Sequence, residues 1–181
     1  CRNKQKVLVV GEGDYSFSLS LAKAFGSAVN ITAISLGIRE HKYNTGEANV
    51  KELKRLGCTV VHGVNIHSMI SDNRLTRYDR IVFNYPHAGK RQGIVGEFME
   101  SAREMVNGEN GEIHVTHKTI YPFNELDIKT IAEEKGLRLI KQMQFNKWIF
   151  SGYSNKLETG SNCDSSFSFR IRSVVTFMFK K

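Results

Sequence analysis

The sequence predicts an α/β protein with a mostly parallel, doubly wound sheet that ends in an antiparallel strand pair. Three observations lead there. Short apolar runs alternate with helical patterns from Val7 to Gly136, the order of strands joined by crossover helices. A glycine turn follows the first run, and the 2 prolines of the chain each fall just past a later run. The last two apolar runs have no helical pattern between them and are expected to pair antiparallel.

Taken in order, Val7–Val10 ("VLVV") reads as a strand buried on both faces. Phe17–Phe25 is expected to be a helix, with Leu19, Leu21, Ala22 and Phe25 apolar. Ile31–Leu36 is a second strand. Thr45 can cap a helix running to about Leu56, with Gly57 in the stop position. Thr59–Val64 is a third strand, followed by a short polar helix or loop. Tyr78–Asn84 holds a fourth, "RIVFN", and Ile94–Val106 carries a helical pattern. Glu112–His117 is the fifth strand. Asn124 is expected to cap the next helix, with Asp127 at the reciprocal capping-box position and Gly136 past its end. "LRLIKQMQF" and "SVVTFMF" are the closing pair, joined by a polar excursion of roughly 25 residues, longer than compact connections usually need. The 181 residues are expected to form one domain, without internal repeat or low-complexity segment.

With 26 Lys and Arg against 18 Asp and Glu, the formal net charge is +8. Two readings stay open on charge alone: a basic globular protein, or one with a polyanionic partner whose counterions clustered Lys and Arg release. The clusters "KELKR" and "FRIR…FKK" are separated in sequence. No apolar run approaches a membrane span, and nothing resembles a signal peptide. Cys1, Cys58 and Cys163 lack CxxC spacing, which argues against a disulfide framework or zinc cluster and favours a reducing compartment. A start at Cys1 rather than Met is expected of a fragment. No metal is expected: His114 and His117 should point to opposite faces, His62 and His67 straddle a strand end, and His41 stands alone. Trp148, Phe167 and Phe169 could stack bases, but core packing is the expectation for aromatics at a sheet edge. Covalent hydrolase chemistry lacks both a Gly-x-Ser-x-Gly elbow and a Cys beside a His.

In such a sheet ligands bind beyond the carboxyl ends of the strands, near the switch point beside the first strand. Gly11 and Gly13 lie there and let the backbone approach a ligand closely. The third glycine of a dinucleotide fingerprint would fall at Ser16, so the match is partial, and a turn without a ligand remains an alternative. The second strand ends Ser35-Leu36-Gly37 without the acidic residue that an NAD site uses, and Glu40 comes late. Arg39 leaves NADP open. A doubly wound sheet with an antiparallel ending is the arrangement of class I methyltransferases rather than dinucleotide dehydrogenases. At the exit of the fourth strand, Asn84-Tyr85-Pro86-His87 occupies the place where such enzymes often carry Asn/Asp-Pro-Pro-aromatic, which holds a planar nitrogen target. The competing reading is an exit turn with a solvent-facing His.

The segments "VGEGDYSFSLSLAKAFG", "RLGCTVVHGV", "YDRIVFNYPHAG", "GEIHVTHKTIYPF", "AEEKGLRL" and "GYSNKLETGSN" stand in the order and spacing of one family. The chain resembles the Rossmann-like rRNA uridine-N3 methyltransferase-like domain, especially its plant-type members. That resemblance implies a class I methyltransferase fold, S-adenosylmethionine as cofactor, large-subunit rRNA as partner, and a nuclear or nucleolar setting. Carried over, Gly11, Glu12, Gly13, Asp14 and Ser16 would form the methionine-side cradle, Ser35 would sit near the ribose, and Asn65 at the adenine. Asn84 would touch cofactor and base, and Asn84, Pro86 and His87 are the expected catalytic residues. Tyr85, His87, Lys90, Arg91, His117, Lys118, Arg170 and Arg172 are the expected RNA contacts. Glu12 or Asp14 can complement the donor's positive charge, and His87 can accept the uridine N3 proton. Two departures stand out: Gly63-Val64-Asn65 replaces the family's Gly-Val-Asp, and the segment after the fourth strand is short. They favour a runner-up function, a catalytically silent RNA- or protein-binding module on the same scaffold, while Arg39 leaves a NADP-dependent reductase as a third.

Overall fold

Strand β1 (Val7–Val10) is buried along its whole length, as its run of branched apolar residues requires. β2 (Ile31–Ile34) is likewise buried and pairs parallel with β1, and β3 (Thr59–Val61) pairs parallel with β2. Further along, β4 (Arg80–Asn84) pairs parallel with β5 (Glu112–Lys118). β6 (Arg138–Gln144) and β7 (Val174–Lys180) close the chain, and β7 runs antiparallel to both β5 and β6. The seven strands form one sheet in the order β3-β2-β1-β4-β5-β7-β6. The computed structural model describes residues 4–36, 44–86, 92–121, 123–153 and 174–181. These divide into two compact units, residues 4–64 with 146–153, and residues 65–145 with 174–181.

In the first unit, helix α1 (Ser16–Phe25) packs against α2 (Asn44–Arg55). Both end in the paired hydrogen bonds of a Schellman motif, and Gly57 stands at the stop that the sequence predicts for α2. Ser27 N–H donates to Ala22 O across Gly26, and Cys58 N–H donates to Leu53 O across Gly57. Gly57 has φ +91°, a conformation that a side chain resists. The third strand is shorter than expected. It stops at Val61, and the chain turns at His62–Gly63, with Val64 N–H donating to Ser35 O at 3.1 Å. Cys58 lies buried with its Sγ 3.2 Å from Ile31 O, and burial pushes the thiol up to about 12, so it is no nucleophile.

In the second unit, α3 (Gln92–Met105) packs against the 3₁₀ turn Ile66–Ser71 and against α4 (Ile128–Glu134). Ser101 Oγ donates to Ile66 O at 3.1 Å, and Phe83 meets Phe98 at 4.9 Å between centroids. The α4 cap differs from expectation. Asp127 itself is the N-cap and accepts from Thr130 N–H at 3.1 Å, while Asn124 lies in a separate turn, Phe123–Glu125. Asp at the cap of "DIKT" satisfies the first-turn donor directly, so no reciprocal box is required. Tyr78 lies outside β4 and makes a lone parallel bridge to Val106. β6 is an edge strand, and its Lys141 and glutamines face water, as a protected edge requires. Among the described residues no helix is long and apolar enough to cross a membrane.

Candidate functional site

The turn after β1 is held by its own backbone and by two acidic side chains that cap α1. Gly11 N–H and Glu12 N–H both donate to Ile34 O, at 3.0 and 3.2 Å, and Gly11 has φ +73°. Asp14 Oδ1 accepts from Ser16 N–H at 3.0 Å and from Ser16 Oγ at 2.7 Å. The Glu12 carboxylate accepts from Ser18 N–H at 3.1 Å. Both acids therefore sit at the positive end of the helix, where the first N–H groups lack intrahelical partners. Burial pushes the Glu12 carboxyl up from 4.5 to about 7, outweighing the Ser18 hydrogen bonds that favour its charged form, and the Asp14 charge adds to the rise. A carboxyl in that condition gains from any cation brought beside it.

Tyr15 closes the turn with φ +60°, and with Tyr85 at φ +52° it is one of the two non-glycine residues in the left-handed region among the described residues. Such backbone costs on the order of 1–2 kcal/mol per residue and persists only where its surroundings over-determine it. For Tyr15 the surroundings are visible. Its ring is buried, and its hydroxyl lies 2.8 Å from His62 Nδ1, which is also 3.2 Å from Ser35 Oγ. Asn49 Nδ2 donates to Asp14 O at 2.7 Å, tying α2 to the turn. The structure thus brings Gly11, Glu12, Gly13, Asp14, Ser16 and Ser35 together and adds Tyr15, His62 and Asn49. The sequence reading overlooked those three. A His just past a strand and an Asn on a helix carry no local signal, although all three side chains lie at the carboxyl ends of β1 to β3 or face them.

The exits of β4 and β5 form a second group. Asn84 is in register with Thr116, and Tyr85 N–H donates to Thr116 O at 2.7 Å. Asn84 Oδ1 and Nδ2 are both buried without a hydrogen-bond partner. Leaving such groups unmade costs about 1–3 kcal/mol each, and a native structure seldom bears that without a ligand or water to answer them. Pro86 is buried, and the Tyr85 ring meets Phe145 edge-on at 6.1 Å. Burial raises the Tyr85 phenol and lowers the Lys118 ammonium. His117 beside Lys118 is only 4% exposed, so it is a wall of this group rather than a free surface contact.

Asn65 is exposed and caps the 66–71 turn, its Oδ1 accepting from His67 N–H at 3.0 Å. His87, Lys90, Arg91, Arg170 and Arg172 lie outside the described residues, as do Arg39, Phe167 and Phe169. Trp148 departs from the expected core packing: it is 74% exposed, because Phe150 and Tyr153 fill the apolar contact with Phe17 instead. Among the described residues, no three His, Cys, Asp or Glu side chains are grouped to hold a metal ion.

A family model described as "rRNA (uridine-N3-)-methyltransferase BTM5-like" matches residues 8–157. The chain belongs to the BMT5-like family. An uncharacterized Arabidopsis thaliana protein, At4g26485, is 44% identical over 193 residues, covering 96% of this chain and 91% of that one. Heavy metal-associated isoprenylated plant protein 41 of Arabidopsis thaliana is 38% identical, covering 99% of this chain but only 38% of that protein. Among solved structures, a 16S rRNA (adenine(1408)-N(1))-methyltransferase from Catenulisporales acidiphilia with cosubstrate SAM superposes with TM-score 0.61 at 11% identity, over 98% of this chain and 85% of that one. The fold of this BMT5-like chain is that of the class I methyltransferases. It is an S-adenosylmethionine-dependent methyltransferase by family and fold.

Proposed function

We propose that this BMT5-like protein methylates N3 of a uridine in large-subunit rRNA, in the nucleus or nucleolus. The observation that carries the acceptor is the Asn84 amide, buried with both polar atoms unanswered. The imide edge of uracil presents an N3–H donor between two carbonyl acceptors. Oδ1 can accept from N3–H while Nδ2 donates to a neighbouring carbonyl, a two-bond match that a single amide supplies. Cytosine offers no proton at N3 and would leave the Asn84 acceptor facing an acceptor. The family's description as a uridine-N3 methyltransferase names the same atom.

When bound, S-adenosylmethionine supplies a methyl group activated by a neighbouring sulfonium. The residues around Gly11–Ser16 fit that donor. Gly13 is exposed and puts no side chain over the turn, and the raised Glu12 carboxyl becomes fully charged beside a cation. Ser35 and the Tyr15–His62 pair would hold the nucleoside end. On the acceptor side, Asn84 holds the imide edge until His87 takes the N3 proton, which frees the in-plane N3 lone pair from Oδ1 for methylation, and Pro86 and Tyr85 stiffen the exit of β4. Most of the acceleration comes from that positioning. Lys90, Arg91, Lys118, Arg170 and Arg172 would neutralise RNA phosphates.

A second reading, a silent binding module on the same scaffold, draws on Asn65 standing where the family has Asp. One experiment separates the two. The protein is incubated with S-adenosylmethionine and a uridine-containing rRNA fragment, and the nucleosides are analysed by mass spectrometry. N3-methyluridine that disappears in Asn84→Ala supports the enzyme. RNA binding without product at saturating donor supports the silent module.

A further inference from the structure

The turn Lys147–Ile149 sets a large aromatic side chain in water and builds a frame to keep it there. Asn146 Oδ1 accepts from Trp148 N–H at 3.0 Å, Ile149 N–H donates to Asn146 O at 3.2 Å, and Phe150 N–H donates to Lys147 O at 3.0 Å. Just beyond it, Phe150 and Tyr153 pack on Phe17 at 4.9 and 5.3 Å between centroids. Phe17 belongs to the first turn of α1, directly after the glycine turn. The segment is therefore anchored beside the Gly11–Ser16 cradle within the same compact unit. Yet Trp148 is 74% exposed and Ile149 70%. Lys147 Nζ lies over the indole, 5.2 Å from the ring centroid, and occupies one face with a positive charge.

We propose that Trp148 is a stacking platform for an unpaired base of the RNA, with Lys147 meeting the adjoining phosphate. The proposal rests on the RNA-methyltransferase reading. An aromatic face paired with a cation is the combination by which proteins hold single-stranded nucleic acid, the base stacking and the ammonium answering the backbone. The chain's net charge of +8 favours the same partner. An apolar protein surface suits this patch less well, because covering it would bury the Lys147 ammonium as well as the ring. Anchoring on Phe17 keeps the platform beside the Gly11–Ser16 cradle of its own unit, so it holds the RNA rather than reacting.

Trp148 is the single tryptophan of the chain, so emission excited selectively at tryptophan, not at the 6 tyrosines, reads this site alone. A single-stranded uridine-containing oligoribonucleotide is titrated at low salt into the 181-residue chain, with emission and the anisotropy of a labelled copy followed together. Saturable quenching is expected. Trp148→Ala should weaken binding roughly 5- to 150-fold, the range for losing one stacked base. Trp148→Phe should recover much of that loss, and S-adenosylhomocysteine affinity by calorimetry should be unchanged in both. RNA that binds without quenching, equal affinity in Trp148→Ala, or no RNA binding at low salt overturns the platform. Quenching and the Ala effect without methylated product leave the platform standing and remove the proposed activity. Product formed with no quenching does the reverse.

Discussion

Replacing Glu12 by Gln tests the electrostatics of the cradle with the least change of shape. The amide oxygen can still accept from Ser18 N–H, so the cap on α1 survives while the titration is removed. In the native chain burial raises the carboxyl from 4.5 to about 7. An acid whose folded value lies above its unfolded one binds more protons when folded than when unfolded. Its contribution to stability is then fully present below pH 4.5 and lost as pH rises through 7. The difference converts to about 3 kcal/mol, an order-of-magnitude figure. Other groups titrate nearby. His114, held low mainly by burial, adds stability as pH rises toward 6.5 and so slopes the opposite way. The informative quantity is therefore the gap between Glu12→Gln and the native chain, measured by urea denaturation at half-unit steps from pH 4.5 to 8. The gap should open in favour of the variant by about 3 kcal/mol across that window, equivalent to roughly 6–12 °C in Tm for a chain of this size. A gap independent of pH would refute the argument, since it would mean that the carboxyl is ordinary and solvated. The same charge predicts binding: native affinity for S-adenosylmethionine should rise from pH 6 to 8, and that slope should vanish in Glu12→Gln.

Two further outcomes follow from particular contacts. Asn84→Ala removes an amide that has no partner in the protein, so stability by urea denaturation should stay within about 1 kcal/mol of native, whereas a loss of several kcal/mol would mean the amide is already bonded. Gly57→Ala must adopt φ +91° and sets its Cβ 2.8 Å from Val29 Cγ1. The backbone alone costs about 1–2 kcal/mol, so adding Val29→Ala should recover only part of the loss in thermal melts.

The elements that the sequence announced share a feature: each is specified by residues a few positions apart. "VLVV" and "RIVFN" are continuous apolar runs, and the stops at Gly57 and Gly136 lie one turn from the residues they cap. The antiparallel ending was readable for the same reason, since no helical period intervenes between its runs. Errors arose where two local signals competed. Asn124 and Asp127 can each cap a helix, and the choice fell to Asp127 because Leu126 and Ile128 are both buried, which fixes where the chain enters α4. The third strand looked continuous to Val64, but Gly63 at φ +66° bends it away once Ser35 O accepts from Val64 N–H.

What the sequence by itself determined is the order of strands and helices, the glycine turn after β1, and the Asn84-Tyr85-Pro86 exit after β4, because hydrophobic period and Gly/Pro punctuation are properties of adjacent residues. Only the tertiary structure decided the rest. Tyr15 and Tyr85 take left-handed backbone that tyrosine alone would avoid, and His62 joins Tyr15 and Ser35 from 47 and 27 residues away. Glu12 and Asp14 spend their oxygens on α1. Asn84 loses its partners through burial, and Trp148 is turned outward because Phe150 and Tyr153 already cover Phe17. Each of these depends on which distant side chain arrives first at a shared contact, and that competition is settled by packing the whole chain.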